Sequence, residues 1–318
     1  MFAIPPVDCP LTSRMSPYVA LAEQDLTGWA RKCGLISDGD GQTWLAGEAY
    51  AGHAGRIFPD AQPPDLALLA MIFAWFYLVD DVCDGTAHPE PPRLRRFVTE
   101  LLALLHGSDR PTEVFAGPAR LMLTEIWAAL RERMPDTWQG RFTDAVAVHL
   151  DGVITEAENK AAGHLPGVDE YVELRRAASA AEISHLLTEL ATDTHLPDAI
   201  YHHPALREVR LAGTDLLSWF NDLYSLDRDI ATAGGHNLVL AISHERELSI
   251  EAAVQEAVDM WQQRMDGFAP LRARVPSFGT QFDPAVHAHL DGVAGSVRGT
   301  LDWTVVSGRY RGDPPPTR

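Results

Sequence analysis

The sequence predicts an all-α protein built as a single helical bundle. Long segments rich in Ala, Leu, Arg and Glu are separated by short stretches of Pro, Gly or Asp, which is typical of helices joined by short loops. The sequence lacks any useful length of the alternation of polar and apolar residues that marks strands. No boundary rich in Gly and Ser divides the 318 residues, so one domain over 1–318 is the simplest organisation.

Prolines and glycines give the boundaries of the predicted helices. They interrupt the helical pattern at 63–64, 89–92, 107–111, 135, 163–167, 197, 204, 234–235 and 270–276. The helices predicted between them cover 15–33, 41–54, 64–84, 92–106, 115–133, 137–161, 168–192 with an internal break, 204–231, 249–274 and 281–309. Residues 1–14 and 311–318 are expected to be flexible tails.

Composition limits the partners and the compartment of the protein. Lys and Arg number 26 against 44 Asp and Glu, and the net charge of -18 argues against nucleic acid or an anionic membrane surface as main partner. The scattered cysteines, Cys9, Cys33 and Cys83, indicate neither a disulfide framework nor a zinc site. The N-terminus lacks the pattern of a signal peptide, and the apolar run 66–79 falls short of the roughly 20 residues that cross a bilayer. We therefore expect a cytoplasmic protein without membrane insertion.

The run AWFYLVDDVCDG, residues 74–85, sets three aspartates against an apolar and aromatic segment. Asp80 and Asp84 share one helix face, and Asp81 lies about 100° round the helix. A helix C-terminus disfavours negative charge, so three carboxylates in DDxxD spacing there favour a bound metal ion over the alternative of a solvated helix end. Aromatic rings occupy the preceding turns of the same face: Phe73, Phe76 and Tyr77.

A second polar motif, WFNDLYSLDRD, occupies residues 219–229. Asn221, Ser225 and Asp229 recur every four residues, so their side chains line one helix face over about two turns. Oxygen ligands of this kind suit a hard cation such as Mg²⁺. A plain polar face is the alternative for this motif alone, but the two motifs together favour a metal site.

The motifs and their spacing resemble those of bacterial class I terpene synthases, over about residues 15–310. Members of that family carry an aspartate-rich motif and, about 140 positions later, an NDxxSxxxE motif. The two motifs together bind one cluster of three Mg²⁺ ions. Here Asn221 lies 141 positions after Asp80. The resemblance implies a class I helical bundle with a central apolar cavity. One position departs from the family motif, since Asp229 stands where the family usually has Glu. The implied metal ligands are Asp80, Asp81, Asp84, Asn221, Ser225 and Asp229.

The same resemblance implies residues that hold a diphosphate. The family places a sensor arginine in a YxxxR context about 46 positions before the motif Asn; YVELR at 171–175 puts Arg175 there, with Arg176 as a second candidate. An effector segment would lie near Ala178 and Ser179, within the broken helix. Other implied diphosphate contacts are Arg228, Arg309 and Tyr310. The implied pocket residues are Phe73, Phe76, Tyr77, Ser179, Phe220 and Trp303.

These residues suit the ionisation of an allylic diphosphate. Divalent ions and arginines stabilise the charge that develops on the leaving group, and a closed aromatic cavity then shields the carbocation from water. We therefore expect Mg²⁺-dependent cyclisation of a linear prenyl diphosphate. The bulky rings beside the first motif, and the family's usual substrate, favour C15 farnesyl diphosphate. Geranylgeranyl diphosphate and geranyl diphosphate are the alternatives, and a homodimer is left open.

Three rival functions are less consistent with the residues. A prenyl diphosphate synthase should carry a second aspartate-rich motif and lysines for a second diphosphate, yet the chain has only Lys32 and Lys160. A di-iron bundle needs two ExxH pairs and two further glutamates, and only Glu182 with His185 fits. A non-catalytic helical binding protein remains; it would not release diphosphate from a prenyl substrate.

Overall fold

The computed structural model describes residues 2–36, 49–84, 90–108, 110, 112–232 and 234–307, and this part of the chain contains thirteen α-helices and no strand. The all-α prediction is confirmed. The helices are α1 (Val19–Lys32), α2 (Tyr50–Ile57), α3 (Pro63–Asp84), α4 (Pro91–Leu105), α5 (Gly117–Arg133), α6 (Asp136–Ala162), α7 (Val168–Ala178), α8 (Ala181–Thr192), α9 (Asp198–Tyr201), α10 (Pro204–Thr232), α11 (Leu238–Glu245), α12 (Ile250–Ala273) and α13 (Asp283–Val306).

Most helices begin and end within a few residues of the predicted positions, but two short helices, α9 and α11, were not predicted. Helix α11 is capped by Asn237, whose Oδ1 accepts a hydrogen bond from the Val239 backbone N–H at 2.9 Å. Helix α12 ends at Ala273, one residue before its predicted end, and it continues through Pro270 because a proline so near the end removes only one hydrogen bond of the last turns. Residues 41–48 of a predicted helix lie outside the described residues.

Helix α3 lies inside the bundle and packs against α1, α2, α5 and α8. Its composition explains this position, since it is apolar nearly all round, as buried helices are. By length and composition alone residues 63–81 could cross a membrane, but more than half of this stretch is buried against other helices. The predicted buried helix is thus confirmed, and its carboxylates lie where it leaves the core.

Residues 2–14 differ from the predicted flexible tail. Apolar side chains of this segment pack against the core, among them Phe2, Val7 and Leu11. The Asp8 backbone N–H donates to Gln262 Oε1 at 3.0 Å. The prediction of a flexible tail rested on the absence of a helical pattern. The apolar residues between the prolines nevertheless pack against the core without forming a helix. Residues 311–318 lie outside the described part.

Two glycines let α13 pass close to α2. A Cβ atom on Gly295 would lie 2.8 Å from the Ile57 backbone oxygen, and one on Gly299 would lie 2.8 Å from the Arg56 backbone carbonyl carbon. Both distances are shorter than real carbon contacts allow. This close approach places the end of α13 firmly against α2, where the indole of Trp303 stacks on the ring of His53 at 4.2 Å.

Substituting Gly299 tests this close approach. We expect Gly299→Ala to lower the free energy of unfolding by about 1–3 kcal/mol, because the added methyl must push two backbones apart. Gly140→Ala is the control, since nothing lies near its Cβ position in α6, and there the change should raise stability by up to about 1 kcal/mol. Urea unfolding followed by circular dichroism measures both. Equal stability of the two variants would contradict the packing.

Candidate active site

The two polar motifs occupy the ends of α3 and α10. On α3, Asp80 is half-buried and Asp81 is exposed, while the side chain of Asp84 lies outside the described part. On α10, Asn221 is half-buried and Ser225 is buried. The second motif therefore lies deeper in the bundle than the first.

His149 of α6 lies within electrostatic reach of the first motif and of Arg175. Burial lowers the pKa of His149, the charge of Asp80 acts to raise it, and the charge of Arg175 acts to lower it further. The ring also meets Phe76 edge-on at 6.0 Å. One neutral imidazole thus lies near the carboxylate of the first motif and the predicted sensor arginine, and sequence reasoning missed it.

Asp222, next to Asn221, is a buried centre of hydrogen bonding. Its carboxylate accepts from the Tyr171 hydroxyl at 2.6 Å, from Arg175 Nε at 3.1 Å and from the Leu238 backbone N–H at 3.2 Å. These donors come from α7 and α11, so one side chain of α10 joins three helices. Sequence analysis did not assign Asp222 a role, although the acid following the motif Asn was the available signal.

Arg175 is held against the second motif. Its Nη2 donates to Asn221 Oδ1 at 2.9 Å in addition to its ion pair with Asp222. Burial acts to lower the pKa of Arg175, but the nearby charges of Asp222, Glu156 and Asp229 and the Tyr171 hydroxyl together outweigh burial, and the pKa lies above its ordinary value. A fixed, fully charged guanidinium therefore adjoins Asn221, where the predicted sensor was expected.

Arg176, the second candidate, points elsewhere. Its Nε and Nη2 donate to the two carboxylate oxygens of Asp215 at 2.8 and 2.9 Å. Arg264 of α12 also pairs with Asp215, at 2.7 Å. Arg176 therefore ties α7 to α10 and α12 and makes none of the contacts that Arg175 makes to the second motif.

Ser225 and Asp229 form one oxygen-lined patch. The Ser225 hydroxyl donates to Asp229 Oδ2 at 2.5 Å, so the aspartate reaches the face of its motif although it is one methylene shorter than glutamate. Asn237 Nδ2 donates to the same oxygen at 3.0 Å and to the Asp222 backbone oxygen at 2.8 Å. Arg228 Nε donates to Asp229 Oδ1 at 3.2 Å with 48% of its side chain exposed. Asn237 was missed, since only its position before a short helix marked it.

The donor set fits Mg²⁺ bound together with a phosphate-bearing ligand. Among the residues described, no three His, Cys, Asp or Glu side chains gather at one point, so carboxylates alone do not form a cage. The available donors are carboxylate, amide and hydroxyl oxygens on two helices. Mg²⁺ typically binds one or two carboxylates and completes its shell with water and substrate phosphates.

Three of the predicted pocket rings lie on α3 and are half-buried: Phe73, Phe76 and Tyr77. Phe73 lies 4.7 Å from the ring of His53, and the Tyr77 ring lies 5.2 Å from that of Trp303. Most apolar neighbours on this helix are fully buried. The partial exposure of these three rings is consistent with a lining role.

Two other predicted pocket rings, Trp303 and Phe220, are buried, and their place in the pocket stays a prediction. Trp303 has no exposed surface because His53 covers one of its faces. Phe220 is 3% exposed and stacks on Tyr224 at 4.5 Å, on the side of α10 that faces α12. Helical periodicity could not show which side of α10 faces the interior space. Arg309 and Tyr310 lie outside the described residues.

The predicted break in the 168–192 helix is confirmed between α7 and α8. Ala180 adopts φ 57°, a left-handed conformation that costs a residue other than glycine about 1–2 kcal/mol. Ser179 is half-buried, and its hydroxyl accepts from the Ala181 backbone N–H at 3.3 Å. A Cβ on Gly152 of α6 would lie 2.8 Å from the Ala178 backbone nitrogen, so only glycine allows α6 to support the break this closely.

The sequence and the structure of this chain are similar to those of known terpene synthases. Residues 71–267 match the family model described as terpene synthase family 2, C-terminal metal binding. The chain is 29% identical to 10-epi-cubebol synthase of Sorangium cellulosum, over 92% of this chain and 93% of that protein. It is 27% identical to (+)-T-muurolol synthase ((2E,6E)-farnesyl diphosphate cyclizing) of Roseiflexus castenholzii, over 95% and 92%. The crystal structure of a-eudesmol synthase superposes with a TM-score of 0.83 at 25% identity, over 95% and 99% of the two chains.

Removing the Asp222 carboxylate should destabilise the fold strongly. We expect Asp222→Ala to lower the free energy of unfolding by about 3–5 kcal/mol, because it leaves the Arg175 charge buried without its partner. Tyr171→Phe, which removes one hydrogen bond to the same carboxylate, should cost about 1.5–3 kcal/mol. Denaturant unfolding at neutral pH compares the two. An Asp222→Ala variant that is the more stable of the two would refute this role.

Proposed function

The chain belongs to terpene synthase family 2, and we propose that it ionises and cyclises farnesyl diphosphate to a cyclic sesquiterpene with release of diphosphate. The observation that carries the proposal is the charged Arg175, which Asp222 holds against Asn221 on the helix that also presents Ser225 and Asp229. The choice of farnesyl diphosphate is supported by the substrate named for the Roseiflexus relative. The alternatives are geranylgeranyl and geranyl diphosphate.

Six oxygen-bearing residues are proposed to hold three Mg²⁺ ions: Asp80, Asp81, Asp84, Asn221, Ser225 and Asp229. When bound, Mg²⁺ would supply Lewis-acid stabilisation of the anionic leaving group. Asn237 would keep Asp229 oriented toward Ser225, as its hydrogen bond to Oδ2 indicates. Supporting residues of this kind fix the position of ligands and thereby reduce the entropy lost on binding.

Arg175 is proposed to bind the diphosphate and to stabilise it as the C–O bond breaks. The guanidinium is already oriented and charged, so it needs little reorganisation as negative charge develops. The side chain of Arg228 is half-exposed, so Arg228 can move toward the diphosphate. Arg309 and Tyr310 are proposed to complete the diphosphate contacts, on the family resemblance alone.

The half-buried rings of α3 are proposed to shape and shield the cation. Phe73, Phe76 and Tyr77 offer ring faces, and each contact with a cation contributes about 0.5–2 kcal/mol. Ser179, at the helix break, would lie between these rings and the diphosphate site. Trp303 and Phe220, which are both buried, are proposed to contribute to the same pocket on the family resemblance. The whole chain is proposed to work as one cytoplasmic domain.

The direct test is incubation of the purified protein with Mg²⁺ and, separately, geranyl, farnesyl and geranylgeranyl diphosphates, followed by gas chromatography with mass spectrometry. We expect a cyclic C15 product from farnesyl diphosphate, and loss of that product when EDTA removes the metal. No product from any substrate, with circular dichroism showing a folded protein, would reject the proposed function. A cyclic C20 or C10 product would reject only the chain length.

The metal assignment predicts a selective loss of turnover. Asn221→Ala and Ser225→Ala should each slow diphosphate release by about 100-fold or more, because they remove proposed metal ligands whose ions stabilise the leaving group. Ser218→Ala is the matched control, since its hydroxyl donates to the Thr214 backbone oxygen on the same helix. We expect the control to keep wild-type turnover. Near wild-type rates for either metal variant would reject the assignment.

The neighbouring arginines should differ in their effect on activity. Arg175→Gln should slow diphosphate release by about 100-fold, as removal of a group that stabilises developing charge does. Arg176→Gln should stay within a few-fold of wild type, because its partner Asp215 keeps Arg264. Steady-state assays with a thermal unfolding control compare them. A larger loss for Arg176→Gln would identify Arg176 as the sensor.

A further inference from the structure

Helix α7, which carries Arg175, has little apolar surface of its own to bury. It is 11 residues long, and its buried side chains are Val168, Tyr171 and Ala178. A helix this short is marginal in isolation, so its position depends on contacts with its neighbours. The residue before its first turn is Gly167, which has no side chain to cap the helix. The position of Arg175 along the helix axis therefore depends on groups that other helices supply.

The cap of α7 comes from Glu245, the last residue of α11. Its Oε2 accepts a hydrogen bond from the Val168 backbone N–H at 2.6 Å. A carboxylate suits this place, because its charge also interacts favourably with the N-terminal end of the helix dipole. The carboxylate comes so close to the helix start that a Cβ on Gly167 would lie 2.6 Å from the same oxygen. Glycine at this position thus leaves room for the contact.

The other end of α11 lies at the second motif. The Leu238 backbone N–H, the first of α11, donates to Asp222 Oδ2 at 3.2 Å. The same carboxylate accepts from Tyr171 and Arg175 of α7. Helices α7 and α11 pack against each other. They run antiparallel, because the start of α7 meets the end of α11, while Arg175 meets the carboxylate that holds the start of α11.

The two helices match in length between these contacts. Leu238 and Glu245 are seven positions apart on α11. Val168 and Arg175 are also seven positions apart, on α7. At about 1.5 Å per residue, each pair spans about 10.5 Å along its helix axis. With the start of α11 held by Asp222, Glu245 holds the start of α7 at the distance that places Arg175 at Asp222. A shift of α7 along its axis would weaken the cap and the contacts of Arg175 together.

We propose that Glu245 is a positioning residue: through α7 it sets the place of Arg175 beside Asn221, and thereby the strength with which the site binds diphosphate. This inference rests on the proposed function, in which Arg175 binds the leaving group. Glu245 is exposed and lies two helical turns from Arg175, so it acts through the helix. A misplacement of about 1 Å in a catalytic group can cost about 100-fold in rate, so a contact remote from the chemistry can control turnover.

Variants of Glu245 in the full chain test this role. Glu245→Ala should slow diphosphate release by about 10-fold, and it should weaken the binding of inorganic diphosphate with Mg²⁺ by a similar factor. Glu245→Gln should recover most of both, because its amide oxygen can accept the same hydrogen bond. Asp169→Asn is the matched control: it removes an exposed negative charge from the first turn of α7 and leaves the Glu245 contact in place. Steady-state assays and isothermal titration calorimetry measure the two quantities.

A double-variant cycle separates positioning from a general loss of structure. If Glu245 acts through Arg175, Glu245→Ala should change turnover by less than about twofold in the Arg175→Gln background, because the group that it positions is absent. A merely structural role would lower turnover by the same factor in both backgrounds, and that result would overturn the inference. Wild-type turnover and diphosphate affinity in Glu245→Ala would overturn it as well. Both results would leave the proposed function standing.

Gly167→Ala tests the same contact with the charge in place, and it serves also where Glu245→Ala does not fold. The added methyl would displace the Glu245 carboxylate from the Val168 N–H. We expect a loss of turnover in the same direction, and again only when Arg175 is present. Unchanged turnover in Gly167→Ala would contradict the inference. A wild-type protein that releases no diphosphate from any prenyl substrate would instead reject the proposed function, and this inference with it.

Discussion

The carboxylate of Asp222 joins three helices, and the geometry of the site depends on it. Two side chains of α7 and the first backbone N–H of α11 donate to it, which offsets part of the cost of burying its charge. Helical geometry then determines the direction in which the neighbouring side chains of α10 point. With Asp222 turned toward α7, Asn221 lies beside Arg175, and Ser225 and Asp229 follow on the adjoining turns. One buried interaction thus positions Arg175 beside the second motif.

The bundle separates charged and apolar functions along its helices. Carboxylates lie at the ends of α3 and α10 and Arg175 lies near the end of α7, while the half-buried rings lie in the preceding turns of α3. His149 lies between these regions and is neutral because burial lowers its pKa. This arrangement keeps developing negative charge at the rim and leaves the interior to groups that tolerate a cation.

Much of this could be predicted from the sequence, because local signals determine it. Prolines, glycines and periodicity predicted the helices, and the spacing of DDVCD and NDLYSLDRD predicted the pair of motifs. Contacts between distant elements carry no such signal. The choice between Arg175 and Arg176 depends on register across a helix break, the burial of Trp303 depends on the path of α2, and the role of Asn237 depends on where a short helix meets α10.

The central claim is that Arg175, held by Asp222, binds the diphosphate beside the metal ligands of α10. A crystal structure of the protein with Mg²⁺ and inorganic diphosphate tests it most directly. The account predicts diphosphate oxygens within hydrogen-bonding distance of the Arg175 guanidinium, the ion pair with Asp222 still formed, and metal ions in contact with Asn221 and Ser225. Diphosphate bound away from Arg175, or metal ions that do not contact Ser225, would contradict it.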